Sequence, residues 1–284
     1  MGIKLIVRGA DMGYTKTFDE GALKSMTDGV VTSADVMMDT LNSDWMLQKL
    51  REMPWISVGW HMHLWGRPVA DPALVPSMIN AEGKFKFRKD SSLMNTVKYE
   101  EALIELRAQI EKCIRILGRA PDMTSVRGNG PIDRAKRVVC EEFNIKMNTT
   151  YGAGRRKPYL SEPDEEWMHL KIYEVPIHDR EDLSFEMSKF KDYNPAAVMK
   201  SIDLTQTDKI WLRGGHPGYL DDYILSESTC HVHRVADLKA LCSQEIKDWI
   251  IENQIELINH RDALYGTSEY QNHLKAIGSP LAIK

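Results

Sequence analysis

The 284-residue chain is poor in cysteine: it holds four, Cys113, Cys140, Cys230 and Cys242, and no CxxC pair. That scarcity excludes a disulfide framework and is poor spacing for a zinc site, so reduced thiols and a cytoplasmic location are expected. No run approaches 18 uninterrupted apolar residues, which excludes a membrane-spanning helix. The opening MGIKLIVRGADMG lacks signal-peptide architecture, and Ile6 stands where a myristoylation signal needs Ser or Thr. Basic charge is not in excess: 37 Lys and Arg face 41 Asp and Glu, a net charge of −4. That balance argues against a nucleic-acid binder that neutralises phosphates. GxGxxG and GxxxxGK[ST] are both missing, so a nucleotide-phosphate site is unsupported. The lack of GxSxG weakens a serine-hydrolase reading. What remains is a globular composition, 43% hydrophobic and 27% charged.

Strand-like and helix-like segments alternate. Strands are expected at Ile3–Arg8, Val30–Met38, Trp55–Leu64, Met123–Arg127, Ile145–Thr149, Leu170–Pro176, Lys209–Arg213 and Ile255–Asn259. Helices are expected after a capping box at Thr17 and Glu20, after Asn42-Ser43-Asp44, over Tyr99–Leu117, from Pro131, and over Val235–Asn253. Most of the strands are apolar on both faces, as in parallel sheets covered by helices. The fold expected is α/β: one (β/α) barrel-like domain with a mostly parallel sheet, spanning residues 1–284, with an excursion at about 66–95. A doubly wound open sheet is the alternative.

In a parallel barrel, catalytic groups sit at the C-terminal strand ends, and the polar motifs of this chain concentrate there. The first strand ends in Arg8-Gly9-Ala10-Asp11-Met12-Gly13, and the third in Gly59-Trp60-His61-Met62-His63-Leu64-Trp65-Gly66. A later strand ends in Arg127-Gly128-Asn129-Gly130-Pro131, and another in Gly214-Gly215-His216-Pro217-Gly218-Tyr219-Leu220-Asp221-Asp222. A carboxylate with imidazoles at one mouth suits a divalent metal. His61 and His63, two apart on a strand, would face the same side. The alternative for each residue alone is a structural histidine or a turn aspartate. Trp65 would stack on a sugar ring or be buried, and Trp60 belongs to the core. His231 and His233 read as a surface turn, His178 to Asp182 as a solvated loop, and His260 as either a mouth residue or a structural one.

At these residues the sequence resembles the YdjC-like family, the ChbG/HpnK-type carbohydrate deacetylases. Gly9-Ala10-Asp11-Met12-Gly13 with the VVTSADVMM strand resembles the family's Asp-Asp-Phe-Gly segment and its G-x-x-T-S-x-x-x-M strand. Gly59-Trp60-His61-Met62-His63-Leu64, continued by Gly66-Arg67-Pro68, resembles Gly-Leu-His-Leu. His216-Pro217-Gly218-Tyr219-Leu220-Asp221 resembles His-Pro-Gly-Tyr-x-Asp, and Arg234 with Asp237-Leu238 resembles Arg-x-x-Glu-Leu. The match runs from about residue 3 to 262. The resemblance implies a barrel-like fold, a divalent ion, magnesium or zinc, and hydrolysis of N-acetyl groups on small sugars or oligosaccharides. By position, Asp11 and His61 correspond to metal ligands and His216 to a candidate general acid. Two positions depart from the pattern. Ala10 replaces the first aspartate, a candidate base, and Asp122 to Asn129 has no histidine where the family's Asp-x-His-x-His supplies a third ligand. Arg127 falls near that position, and a guanidinium repels a cation.

The expectation is metal-assisted amide hydrolysis. Asp11 and His61 hold the ion, the third ligand is unidentified, and Asp11 and His216 are catalytic. His63, Trp65, Arg127, Asn129 and Asp221 would line the substrate, with Arg127 on the oxyanion and Asp221 or Asp222 orienting His216. His63 is a substitute ligand to be considered. The rival reading is a non-catalytic carbohydrate-binding protein derived from a deacetylase. Neither nucleic acid nor membrane is an expected partner, and a homodimer is left open.

Overall fold

A computed structural model describes residues 2–125, 128–152, 171–175 and 193–283, with the backbone alone for 148–152 and 171–175. Among the described residues, eight strands pair in parallel: β1 (Lys4–Met12), β2 (Ser33–Val36), β3 (Ser57–Trp60), β4 (Met123–Ser125), β5 (Lys146–Gly152), β6 (Lys171–Val175), β7 (Ile210–Gly215) and β8 (Glu256–Ile258). Strands β2 to β7 are neighbours in chain order, and both β7 and β2 pair with β1. The sheet thus curls until its two ends share one strand, while β8 lies along the first residues of β1. This ring of pairings is the barrel-like α/β fold expected from the alternating pattern, and it displaces the open doubly wound alternative.

The described helices are α1 (Lys16–Thr27), α2 (Ser43–Arg51), α3 (Tyr99–Leu117), α4 (Pro131–Glu142), α5 (Pro195–Lys200), α6 (Asp222–Glu227), α7 (Val232–Leu241), α8 (Gln244–Glu252), α9 (His260–Tyr265) and α10 (Glu269–Ala276). Strand alternation divides β1 between two environments. Leu5 and Val7 join the large core under the helices, whereas Ile6 packs with Leu212 and Ile258 on the other face, inside the ring. Burying each such side chain contributes about 1.5–3 kcal/mol. Above this apolar floor the inner face turns polar, through Arg8 two residues beyond Ile6 and Asp35 next to outward-facing Ala34.

Several local expectations are corrected. The N-cap of α1 is Thr15, whose hydroxyl accepts from the Phe18 amide, and not Thr17. The stretch Val235–Asn253 is two helices, because Ser243 accepts from the Ile246 amide and starts α8 afresh. β3 ends at Trp60, so His61 and His63 lie just past the strand. His231 and His233 are buried rather than on a surface turn. Trp60 lies in the core as expected, its indole donating to Gln109.

The segment between β3 and α3 contains three short 3-10 turns, at Pro72–Leu74, Pro76–Met78 and Ser91–Thr96. Carboxylates of α3 anchor it. Glu105 accepts from the amides of Val69 (3.1 Å) and Ala70 (3.0 Å), and Glu101 from Ser77 (2.6 Å). Burial pushes the Glu105 carboxyl up to about 7, against the pull of its hydrogen bonds. A folded-state value above the ordinary 4.5 means that the native protein holds this proton more tightly than the unfolded chain does. Its contribution to stability is present below about pH 4.5 and is lost as pH rises to about 7. Glu105→Gln should therefore lose less stability than wild type between pH 5 and pH 8, by about 2 kcal/mol, measured as urea midpoints at the two pH values. An unchanged wild-type-to-variant difference across that range would contradict this.

Candidate active site

Asp11 sits where β1 breaks register: the pairing with β2 shifts between Gly9 and Met12, and Asp11 adopts φ 61°. A β-bulge re-aims side chains, and aspartate tolerates the left-handed region better than most residues. The carboxylate turns into the C-terminal mouth of the ring, and its two oxygens take separate partners. Oδ2 accepts from Arg234 at 2.8 Å, and Oδ1 lies 3.0 Å from His61 Nε2 and 3.4 Å from His63 Nε2. The two imidazole Nε2 atoms are 2.7 Å apart. Burial alone would raise the Asp11 carboxyl. Arg234, His216 and the two imidazoles against Oδ1 outweigh it and hold Asp11 well below the usual carboxylate range.

Three donor atoms, one from each of Asp11, His61 and His63, thus lie within 4.8 Å of one another. Ligand atoms on a four-coordinate zinc lie roughly 3.3 Å apart, close to these separations. Burial, followed by the charge of His63, pushes His61 down to about 3, so its imidazole is neutral and keeps a lone pair to offer. The donor set fits a divalent ion.

Arg234 is almost wholly buried in α7. It donates from Nε to the Cys230 carbonyl and lies over the rings of Tyr14 (5.5 Å) and Phe18 (4.9 Å). The HPG turn after β7 is seated next to it. The His216 amide donates to Asp237 Oδ2 at 2.9 Å, and Asp237 also binds Arg213 and the Tyr193 hydroxyl. Gly218 is required there, since a Cβ would lie 1.9 Å from the Phe18 ring. His216 Nε2 ends 3.9 Å from Asp11 Oδ2, and burial is the main cause that pushes its imidazole down to about 4.

The rim is aromatic and basic. The His63 ring stacks on Trp65 at 4.0 Å, and the Arg88 guanidinium lies 5.3 Å from the centre of the same indole. Arg88 also donates to the Tyr14 hydroxyl at 2.7 Å and pairs with Glu227.

Of the residues singled out in the sequence, Asp11, His61, His63 and His216 converge, with Trp65 beside them. Arg127 and His178 to Asp182 lie outside the described residues. Asn129 is exposed just before α4. Asp221 is the N-cap of α6, accepting from the Ile224 amide at 2.9 Å. It does not orient His216, whose main chain is held by Asp237. His260 is fully buried next to Asp35 rather than at the mouth. Tyr14, Arg88, Asp35 and Asp39 were not singled out by sequence reasoning. Asp39 is buried against the loop after His63, accepts from the Gly66 amide at 2.7 Å, and its carboxyl is raised by burial. Arg234 and Asp237 appeared only as part of a motif, and their contacts with Asp11 and His216 span 223 and 21 residues of sequence.

The model of the YdjC-like protein family matches residues 4–252. The chain belongs to the YdjC-like family. Among curated relatives of this YdjC-like chain, a carbohydrate deacetylase of Geobacillus stearothermophilus is 35% identical over 264 residues, covering 90% of this chain and 96% of its own. A carbohydrate deacetylase of Brevibacillus brevis is 27% identical over 266 residues, covering 90% and 98%. A crystal structure from Enterococcus faecalis V583, named as a candidate cellobiose-phosphate cleavage protein, aligns with a TM-score of 0.67 at 22% identity, over 92% of this chain and 99% of that one. That likeness supports the fold.

Proposed function

We propose that this YdjC-like chain, acting as one catalytic domain, hydrolyses N-acetyl groups on small carbohydrates, using a divalent ion held by Asp11, His61 and His63. The observation that carries the reading is the convergence of these three donors at the mouth of a ring whose curated relatives are named carbohydrate deacetylases. Two imidazoles with one carboxylate favour zinc over magnesium, which prefers oxygen ligands. When bound, such an ion supplies Lewis-acid polarisation of the acetyl carbonyl and of the attacking water.

The side chains carry the proton movements. Neutral His216 takes the proton of the water as its oxygen adds to the acetyl carbon. Protonated, it is stabilised by the Asp11 carboxylate 3.9 Å away and returns the proton to the sugar nitrogen as the C–N bond breaks. One imidazole acting as base and then acid accounts for the tolerance of Ala10 where the family has an aspartate. Arg234 fixes the rotamer of Asp11, and Trp65 and His63 present a flat wall to the sugar. Arg127 is proposed to meet the developing oxyanion, and Asn129 and Asp221 to meet outer parts of the substrate.

The test is acetate release from an N-acetylated amino-sugar disaccharide by wild type and His216→Ala. The proposal expects release by wild type and a loss in kcat of about 10²–10⁴-fold in the variant. Tight sugar binding by wild type with no acetate at any enzyme concentration would favour the carbohydrate-binding alternative.

A further inference from the structure

Asp35 lies beneath His61, on the inner face of the ring. Its Oδ2 is 3.7 Å from His61 Nδ1, the nitrogen turned away from the donor cluster, and 3.6 Å from Arg8 Nε. The residue is only 5% exposed, and its Oδ1 has no hydrogen-bond partner among the described residues. His260, fully buried, is next to it, and neither of its ring nitrogens has a partner among the described residues.

The place for this carboxylate is made by its neighbour. Asp35 pairs in register with Gly59 of β3, and a Cβ on Gly59 would fall 2.2 Å from Asp35 Oδ1. The slot that admits the carboxylate exists because position 59 has no side chain.

We infer that Asp35 is the positioning residue for His61: it accepts the Nδ1 proton, fixes the ring, and leaves the Nε2 lone pair to accept from His63 Nε2–H, 2.7 Å away, in the metal-free protein and to meet an ion in its place. A metal-ligating histidine commonly gives its second N–H to a carboxylate, which sets the tautomer and raises ligand basicity. The separation of 3.7 Å closes through a shift of about half an ångström or through one bridging water, for which the unpaired Oδ1 and His260 supply polar lining. Arg8 pairs with Asp35 from the opposite side. The inference rests on the proposed metal site for its consequence, and on geometry alone for the tautomer.

The test combines zinc affinity, measured against a competing chelator, with the tautomer of His61 read by long-range ¹H–¹⁵N correlation in metal-free protein, and with Tm. Asp35→Ala should weaken zinc binding about 10–100-fold and move the His61 proton from Nδ1 to Nε2. Asp35→Asn, whose carboxamide oxygen accepts the same proton, should keep the tautomer and bind within a few-fold of wild type. Gly59→Ala, which expels the carboxylate without removing it, should follow Asp35→Ala. Should Asp35→Ala not fold, Asp35→Ser carries the same expectation, its hydroxyl being too short to reach Nδ1. Variants that lower Tm but leave affinity within twofold and the tautomer unchanged would overturn the inference, leaving Asp35 as a counter-ion of Arg8. A tautomer that follows Asp35 in a protein that binds no zinc would support the positioning role and contradict the metal site instead.

Discussion

Alanine at position 63 should deprive this YdjC-like chain of tight metal binding. His63→Ala is expected to weaken zinc affinity by at least about a hundredfold and to lower kcat/KM for an N-acetylated amino sugar about 10²–10⁴-fold, with Tm within a few degrees of wild type. The magnitude follows from the site. With Asp11 and His61 alone, one carboxylate and one imidazole remain, a set too small for a closed or catalytic zinc site. The family's own third ligand comes from a His-rich segment that this chain lacks, and His63 stands 2.7 Å from His61 and 3.4 Å from Asp11. The fold should tolerate the loss, since the His63 side chain is about 30% exposed. Adding Ala10→Asp and Arg127→His to the His63→Ala protein should recover part of the affinity by restoring the family pattern. Wild-type affinity in His63→Ala would place the third ligand elsewhere.

The second large effect concerns Arg234. Arg234→Leu should lower stability by about 3–5 kcal/mol, because it leaves a buried carboxylate without its cation. That corresponds to a fall in Tm of roughly 6–20 °C for a chain of this size. The pH dependence should change as well. Asp11 is held below the ordinary carboxylate range, against burial, with Arg234 the largest opposing influence. A lowered folded-state value contributes stability that is present above about pH 4 and is lost as pH falls through that value. Without Arg234, burial raises the Asp11 carboxyl, so the variant should gain stability relative to wild type as the solution is acidified. Thermal melts of both proteins between pH 4 and pH 8 measure this, and a constant difference across that range would contradict the assigned charge pairing.

Much of this was legible in the sequence because it is written locally. His61 and His63 were expected on one side of a strand and do converge, though just past the end of β3, and the strand-end motifs anticipated Asp11 and His216 at one mouth. The alternation of doubly apolar strands with helices anticipated a parallel ring. Long-range pairing was not legible. Nothing in a linear pattern joins Asp11 to Arg234, 223 residues away, or shows that Gly59 clears a slot for Asp35. Competition between short polar side chains was also hidden: Thr15 rather than Thr17 caps α1, its hydroxyl accepting from the Phe18 amide, while Asp19 turns inward to accept from the Gly13 amide and Asn42. Asp221, read as a neighbour of His216, is engaged instead at its own helix terminus.

Asp11, His61 and His63 are proposed to hold one divalent ion on which deacetylation depends. The most direct test strips the purified protein with a chelator and returns zinc in steps, following bound metal and acetate release from an N-acetylated amino-sugar disaccharide together. Activity should be lost on stripping and should rise in proportion to occupancy up to one ion per chain. Acetate release that persists at full rate in the stripped protein, or one tightly bound ion with no release, would contradict it.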